Sequence, residues 1–446
     1  MLARIASRLA ELAQRFVPDP FVIALGLTAL AFGMGWVAMP ERSVAALAEG
    51  WYARVSAQGT LAFTFQMSLI LVAGATLASA PAVRAGLSRL ASVPRTTRAA
   101  VALTALVAML AAYINWGFGL IVGAVLAREI GARFTASGRK LDYPLVAAAG
   151  YTGLMVWHGG FSGSAPLKVA EAGPMGLPPI PISDTILSTM NIALAVGMLL
   201  FIPWLLTRMT SNEAEREVSV AALDPPPAEA GECRPLMGTA LGLFVIVLGA
   251  IALAQLLRAR GLLNGLGLNT VNLALVLLGL LLFGSPQRYA RAFGESAGQA
   301  GGILLQFPFY FGILGLLESS GLVERLAGSS ADMATALSTI GLPVQWCFDM
   351  VTFLSAGLVN LLVPSGGGQW AVQGEIVAQA CQGLDLPLPR AVLALSWGDE
   401  WTNMLQPFWA LPLLGITGLK ARDILGYTLT IMLLALPLYA AAFALF

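Results

Sequence analysis

The residues best placed to do chemistry fall at four breaks in otherwise apolar sequence. They are Asn115-Trp116-Gly117-Phe118-Gly119, Gly159-Gly160-Phe161-Ser162-Gly163-Ser164, Pro364-Ser365-Gly366-Gly367-Gly368, and Trp397 to Pro407 with Asn403 and Gln406. A broken helix exposes unpaired N–H groups where one half begins and unpaired carbonyls where the other ends; the first suit an anion and the second a cation. Glycine lets a ligand reach the backbone, while Ser and Asn donate or accept without a charge that lipid would penalise. The candidate substrate contacts are therefore Asn115, Gly117, Gly119, Gly160, Ser162, Gly163, Ser164, Asn360, Ser365, Gly366, Gly367, Asn403 and Gln406. A plainer reading stands beside this one: such glycines also serve close packing of membrane helices, and Asn115 and Asn360 also suit helix caps.

Asp399 and Glu400 are the acids set deepest in an apolar segment, and a carboxylate there marks an ion or proton path. The structural alternative is a pair with Arg390 or a place at the membrane boundary. Asn115 and Asn360, at the breaks, join them as ion-coupling candidates, with Na⁺ on unwound carbonyls or H⁺ on a carboxylate; the sequence does not choose. His158, the one histidine, reads as a satisfied hydrogen-bonding residue, and Lys168 either attracts an anion or snorkels to the outer surface. Gly160-Phe161-Ser162-Gly163 fits a GxSG pattern with His158 four positions before Ser162, the weak outline of an intramembrane serine hydrolase. Such enzymes ordinarily bring base and nucleophile from separate helices. Cys233, Cys347 and Cys381 form no CxxC pair, so with a single histidine no zinc site and no cofactor are expected.

The elements that position these residues follow from composition. Of 446 residues, 57% are apolar and 11% charged, against about 45–50% and 25% in ordinary soluble proteins. This is the composition of a membrane protein, and a net charge of +1 excludes a nucleic-acid-binding field. Forty-eight Gly and 25 Pro imply bent or broken spans. Apolar segments run at 20–39, 61–80, 99–127, 144–167, 186–206, 236–257, 269–284, 301–318, 344–377, 391–414 and 423–445. Residues 1–19 read as an amphipathic helix on the cytoplasmic surface, with Leu2, Ile5, Leu9, Leu12 and Phe16 between Arg4, Arg8 and Arg15. The acid-rich stretch 207–235 reads as a polar cytoplasmic linker.

That linker separates two copies of one pattern, 20–206 and 236–446. Tyr52-Ala53-Arg54 recurs as Tyr289-Ala290-Arg291, Gln66 as Gln306, Asn115 as Asn360, Pro144 as Pro389 and Pro166 as Pro412, in order and at a slowly drifting spacing. Arg84, Arg89, Arg95 and Arg98 put the loop after residue 80 in the cytoplasm, whereas its counterpart carries Glu318, Glu324 and Asp332, so the copies are inverted. The loop 128–142 is also basic. Segment 99–127 therefore enters and returns, as does 344–377. The expected fold is an all-α polytopic membrane protein with about nine to eleven transmembrane helices, two opposed re-entrant hairpins and broken helices. Paired breaks in inverted repeats point to a secondary transporter with its site at the bilayer midplane.

INWGFGL at 114–120, GGFSGSAP at 159–166, QFPFY at 306–310, VPSGGGQW at 363–370 and QPFWALP at 406–412 resemble the bacterial short-chain fatty acid uptake permeases that serve acetoacetate and butyrate degradation. The likeness runs from Pro18-Asp19-Pro20 to the C-terminus. It implies the fold of the ion transporter superfamily, a bacterial inner-membrane location, a short monocarboxylate as substrate and a homodimer. Trp116, Phe118, Phe161 and Trp370 flank the breaks and suit an apolar tail, each methylene of which contributes about 0.8 kcal/mol on burial. Bringing one anion into a cell at 100 mV costs about 2.3 kcal/mol, so accumulation implies symport with H⁺ or Na⁺. A related antiporter, or a passive channel, is the competing transport reading.

Overall fold

The computed structural model describes residues 20–38, 43–210, 215–217, 219–220, 236–261, 267–361, 363 and 365–446. The surface helix expected at 1–19, Cys233, Pro364 and most of the linker 207–235 lie outside the described residues.

The first copy comprises α1 (Pro20–Ala38), α2 (Val44–Val55), α3 (Gln58–Ala78), α4 (Pro81–Leu90), α5 (Thr97–Ile114), α6 (Trp116–Ala136), α7 (Tyr143–Tyr151), α8 (Ser164–Glu171) and α9 (Thr189–Met209). After α10 (Leu236–Arg260) the same series returns as α11 (Leu268–Phe283), α12 (Pro286–Ala297), α13 (Gly301–Ser319), α14 (Leu322–Ser338), α15 (Val344–Asn360), α16 (Gly366–Gly383), α17 (Leu388–Thr402), α18 (Pro407–Thr417) and α19 (Ala421–Leu445). Two short strands, β1 (Lys140–Leu141) and β2 (Arg216–Glu217), pair antiparallel.

The helix starts are written locally. Thr96, Asn115, Asp142, Ser188 and Ser365 each accept a hydrogen bond from an N–H inside the helix they open, which satisfies one of the donors a helix leaves free at its first turn. Gly284 and Gly418 end α11 and α18 at φ 64° and 75°, where a side chain would be strained. Among the described residues, six helices are long and apolar enough to cross a membrane alone. One of these is α10, whose Leu243, Phe244, Val247 and Ile251 stay exposed as a lipid-facing surface would.

One of the six, α5, does not cross. Its start and the end of α6 lie on one face of the protein: Arg98 Nε donates to Thr210 Oγ1 at 3.2 Å, and Val220 N donates to Thr135 Oγ1 at 3.1 Å. The chain turns between them at Asn115 alone. The second hairpin, α15–α16, opens elsewhere, where Trp346 Nε1 donates to Ala440 O at 2.9 Å and Arg390 Nε to Asp349 Oδ2 at 2.6 Å. Helix α19 measures the separation of the two openings. Its first turns reach the first face through Tyr427 Oη to Asp142 Oδ2 (3.0 Å), and its last turns carry Ala440 and Phe443 at the second. The two hairpins are therefore opposed.

Both hairpins exceed the expected bounds of 99–127 and 344–377, running over 97–136 and 344–383. The apolar run stops at Arg128, but the helix does not: Arg128 reaches Ile416 O (2.8 Å) and Arg133 reaches Ser88 O (3.0 Å) while their backbones stay helical. Basic residues near a helix C-terminus are favoured there.

Gly123 on α6 and Gly150 on α7 bring two backbones together; a Cβ on Gly150 would lie 2.7 Å from the Gly123 carbonyl oxygen. Gly123→Ala and Gly150→Ala should each destabilise the detergent-solubilised protein by about 1–3 kcal/mol, read as a lower thermal unfolding temperature. Gly383→Ala, where a Cβ meets nothing within 4 Å, should leave that temperature unchanged.

Candidate functional site

Four half-helices begin around one central cavity. α6 starts at Trp116, α8 at Ser164, α16 at Gly366, and α18 contributes Trp409 from its first turn. With them, Met67, Leu154, Trp157, Ile303, Phe307, Ser365, Gly367 and Asn403 complete the walls. About 20 Å³ of the space between them is open to the centre of a water molecule, room for roughly one water. In this conformation the chamber is too narrow for an organic acid, which enters only as the walls part.

Among the described residues, no Asp, Glu, Lys or Arg lines the chamber. Its surface is almost wholly apolar; the polar groups of three residues that line it, the Trp116 and Trp157 indole N–H groups and the Ser164 hydroxyl, are buried without a hydrogen-bond partner. Leaving one such group unsatisfied costs about 1–3 kcal/mol, so three around one small space mark a place where something else belongs. The Ser365 hydroxyl accepts from Gly368 N (3.3 Å) and so caps α16, whose Gly366 and Gly367 face the chamber. Three indoles form the apolar wall, Trp116 packing against Trp157 at 6.0 Å and edge-on to Trp409 at 5.2 Å. Gly366 and Gly367 are required by close approach: a Cβ would lie 2.7 Å from the Trp157 ring and 2.6 Å from Phe307.

Of the contacts expected from sequence, Ser164, Ser365, Gly366, Gly367 and Asn403 line the chamber. The others build the frame that holds it. Asn115 caps Phe118 N (2.8 Å) and donates to Ile70 O (3.1 Å), tying the first tip to α3. Ser162 Oγ accepts from Trp116 N at 2.9 Å. Gly117, Gly119, Gly160 and Gly163 sit where a Cβ would crowd Leu71, Ala112, Tyr113 and His158. Asn360 ends α15 and donates to Asp399 O (2.6 Å), Thr402 Oγ1 (2.9 Å) and Asn403 Oδ1 (3.0 Å), while the Gln406 amide donates to Asn360 O. The first hairpin turns at Asn115, which caps the returning arm, whereas in the other copy Asn360 ends the advancing arm and Ser365 caps the returning one. Phe161 packs on Tyr113 and Trp370 borders a separate outer vestibule.

Asp399 and Glu400 lie fully buried behind Trp157, and neither forms a salt bridge with Arg390, whose partner is Asp349. Asp399 Oδ2 meets His158 Nδ1 at 2.7 Å, and Glu400 Oε2 accepts from His158 N at 2.7 Å. His158 Nε2 accepts from Ala165 N at 3.2 Å, which leaves the ring proton on Nδ1, facing Asp399. The imidazole stacks on Trp157 with centroids 4.5 Å apart and planes 13° from parallel. Both ring nitrogens are thus occupied and Ser162 is engaged by Trp116, so no base addresses that serine and the hydrolase outline is empty. Four buried acceptors on this side lack donors: Asp399 Oδ1, Glu400 Oε1, Asn360 Oδ1 and Gln406 Oε1.

His158 is the hydrogen-bonded residue expected from the sequence, whereas sequence reasoning missed Trp157 and Trp409. The signal for the last two was their position beside the breaks; nothing local announced that His158 meets an aspartate 241 residues away.

Opposed hairpins and broken helices converging on a narrow central chamber define a membrane transporter. The chain matches the short chain fatty acid transporter family over residues 1–446 and belongs to it. Two relatives carry the provisional name short-chain fatty acid transporter. One, from Escherichia coli, is 36% identical over 468 residues and all of both chains; the other, from Haemophilus influenzae, is 33% identical over 464 residues and 98% of each. Among solved structures, the Alcanivorax borkumensis YdaH transporter aligns with TM-score 0.56 at 15% identity, covering 95% of this chain and 98% of that one. Neisseria gonorrhoeae MtrF aligns with TM-score 0.59 at 16% identity, covering 99% and 97%. The fold is therefore shared with transporters, and the protein is a multi-pass component of the bacterial cytoplasmic membrane, not an enzyme.

Trp116→Phe and Trp157→Phe keep most of the apolar wall but delete one donor each. Each should raise the KM for the transported acid about three- to tenfold in initial-rate uptake, with expression and thermal stability preserved.

Proposed function

We propose that the protein accumulates short-chain monocarboxylates such as acetoacetate and butyrate by symport with a cation, H⁺ or Na⁺. The observation that carries this reading is the division of the centre into two sides: a chamber with partnerless donors and no fixed charge, and behind Trp157 a carboxylate pair with partnerless acceptors. A compact carboxylate suits the first side, held by helix starts and neutral donors without a buried guanidinium. The chamber's Met67, Leu154, Ile303 and Phe307 suit a short alkyl tail.

A cation suits the second side. Two buried carboxyl groups share one imidazole, with no Lys or Arg bonded to either among the described residues, and buried charge of one sign is expensive. With the imidazole neutral, one added positive charge lowers the charge of two ionised carboxylates from −2 to −1. A proton on Asp399 or Glu400 accomplishes that; Na⁺ is the second reading, supported by the free amide oxygens of Asn360 and Gln406. The Trp157–His158 stack places one aromatic layer between the two sides, so occupancy of either alters the packing of the other. Carrying the anion with at least one cation removes the electrical cost of about 2.3 kcal/mol per charge at 100 mV.

Uptake of labelled acetoacetate, butyrate and longer acids into proteoliposomes under separately imposed proton, sodium and voltage gradients tests this directly. The expected result is uphill accumulation of four-carbon acids driven by one of the two cation gradients, falling off gradually with chain length. Mere equilibration would mean a passive channel, and acid efflux driven by cation influx would mean antiport. Asp399→Asn and Glu400→Gln should lower gradient-driven accumulation at least about tenfold; full accumulation in both would remove the coupling site.

A further inference from the structure

A second cavity opens on the face shared by the ends of α2 and α8. It is walled by Arg54, Thr60, Lys168, Phe311 and, from the body of α16, Trp370 and Glu375, among others, and about 380 Å³ of it is open to the centre of a water molecule. Unlike the central chamber, it admits a small organic acid as it stands. Its two cations differ in state. Arg54 is committed, donating through Nε to Glu318 Oε2 (2.7 Å) and through Nη2 to Glu318 and Glu375. Among the described residues Lys168 forms neither a hydrogen bond nor a salt bridge; its ammonium lies 5.3 Å from the centroid of the Phe63 ring. Its nearest acid, Glu171, is occupied by the Gln66 amide (3.3 and 3.4 Å) and Asn269 N (3.3 Å).

Phe63 stands between the two cavities. Its ring packs 5.9 Å from Phe311, which borders the vestibule, and 6.0 Å from Phe307, which lines the chamber. Phe63 and Phe307 both sit where Gly367, at the hairpin tip, has room only for hydrogen. We propose that the vestibule is a second, weaker carboxylate site in which Lys168 receives the substrate before it passes Phe63 into the central chamber. The proposal rests on the monocarboxylate reading above. Because an ammonium cannot pair with a carboxylate and remain over the ring at full strength, arrival of the anion loosens the Lys168–Phe63 contact. The site thereby senses its occupant at the step that opens the way inward.

The test uses the full-length protein in vesicles of known orientation. With labelled butyrate presented at the vestibule face, Lys168→Met should raise KM about tenfold or more with Vmax within about twofold, and KM measured from the opposite face should not move. Lys168→Arg should retain wild-type KM within about threefold. An unchanged KM in Lys168→Met, or equal rises from both faces, overturns the proposal. A second readout does not require transport. Ala57→Cys at the vestibule rim should react faster with an anionic than a cationic thiol reagent, butyrate should protect it, and Lys168→Met should abolish both effects. Equal reactivity with and without Lys168 also overturns the proposal. If wild-type vesicles fail to take up butyrate, the transport reading fails separately, and the labelling ratio still decides the role of Lys168.

Discussion

In a bilayer every backbone N–H and C=O must be satisfied inside the protein, so breaking four helices at mid-depth is admissible only if their ends meet one another. Here they do. Tyr151 on the first broken helix donates to the carbonyls of Asn403 and Gln406 in the second (2.9 and 3.0 Å), and Asn191 on α9 donates to Gly159 O while accepting from Trp397. The inverted copies are thus coupled through each other's frayed ends, and neither break is stable without its partner. Among the polar groups left unpartnered after this exchange, three belong to residues lining the chamber, Trp116, Trp157 and Ser164, and four are acceptors of Asp399, Glu400, Asn360 and Gln406.

The placement of these two sets follows from chain direction. α6 and α16 each run away from a hairpin tip, and α8 and α18 run away from a break, so all four present their N-termini inward. The preceding elements, α5, α7, α15 and α17, present C-termini, and it is at the end of α17 that Asp399 and Glu400 stand. A separation of partial charge along each helix axis becomes a separation of anion from cation across one aromatic layer. The fold alone accounts for this polarity; the choice of Ser164, the indoles and the carboxylates gives it chemical content.

The breaks were legible in the sequence because glycine, proline and asparagine punctuate apolar runs, and the opposed hairpins were legible because basic loops recur on one side of an apparent span. Less was legible where a contact depends on partners far apart in the chain. Asn115 and Asn360 match as residues but not as parts, since one caps a returning arm and the other ends an advancing one. A pair with Arg390 was one alternative for Asp399, yet Arg390 bonds Asp349 on α15, and Asp399 meets the imidazole of His158. The small residues Gly119 and Gly160, read as ligand contacts, serve backbone approach that only the packed fold reveals.

The central claim is that the carboxylate is received by the tryptophan indoles at the helix starts. Indole ¹⁵N–¹H resonances of the purified protein, assigned by single Trp→Phe substitutions, address it directly. Titration with butyrate should shift the Trp116 and Trp157 signals downfield in a saturable manner, and the neutral isostere butyramide should leave them in place. Saturable butyrate binding without movement of either signal, or equal shifts with butyramide, would contradict the account.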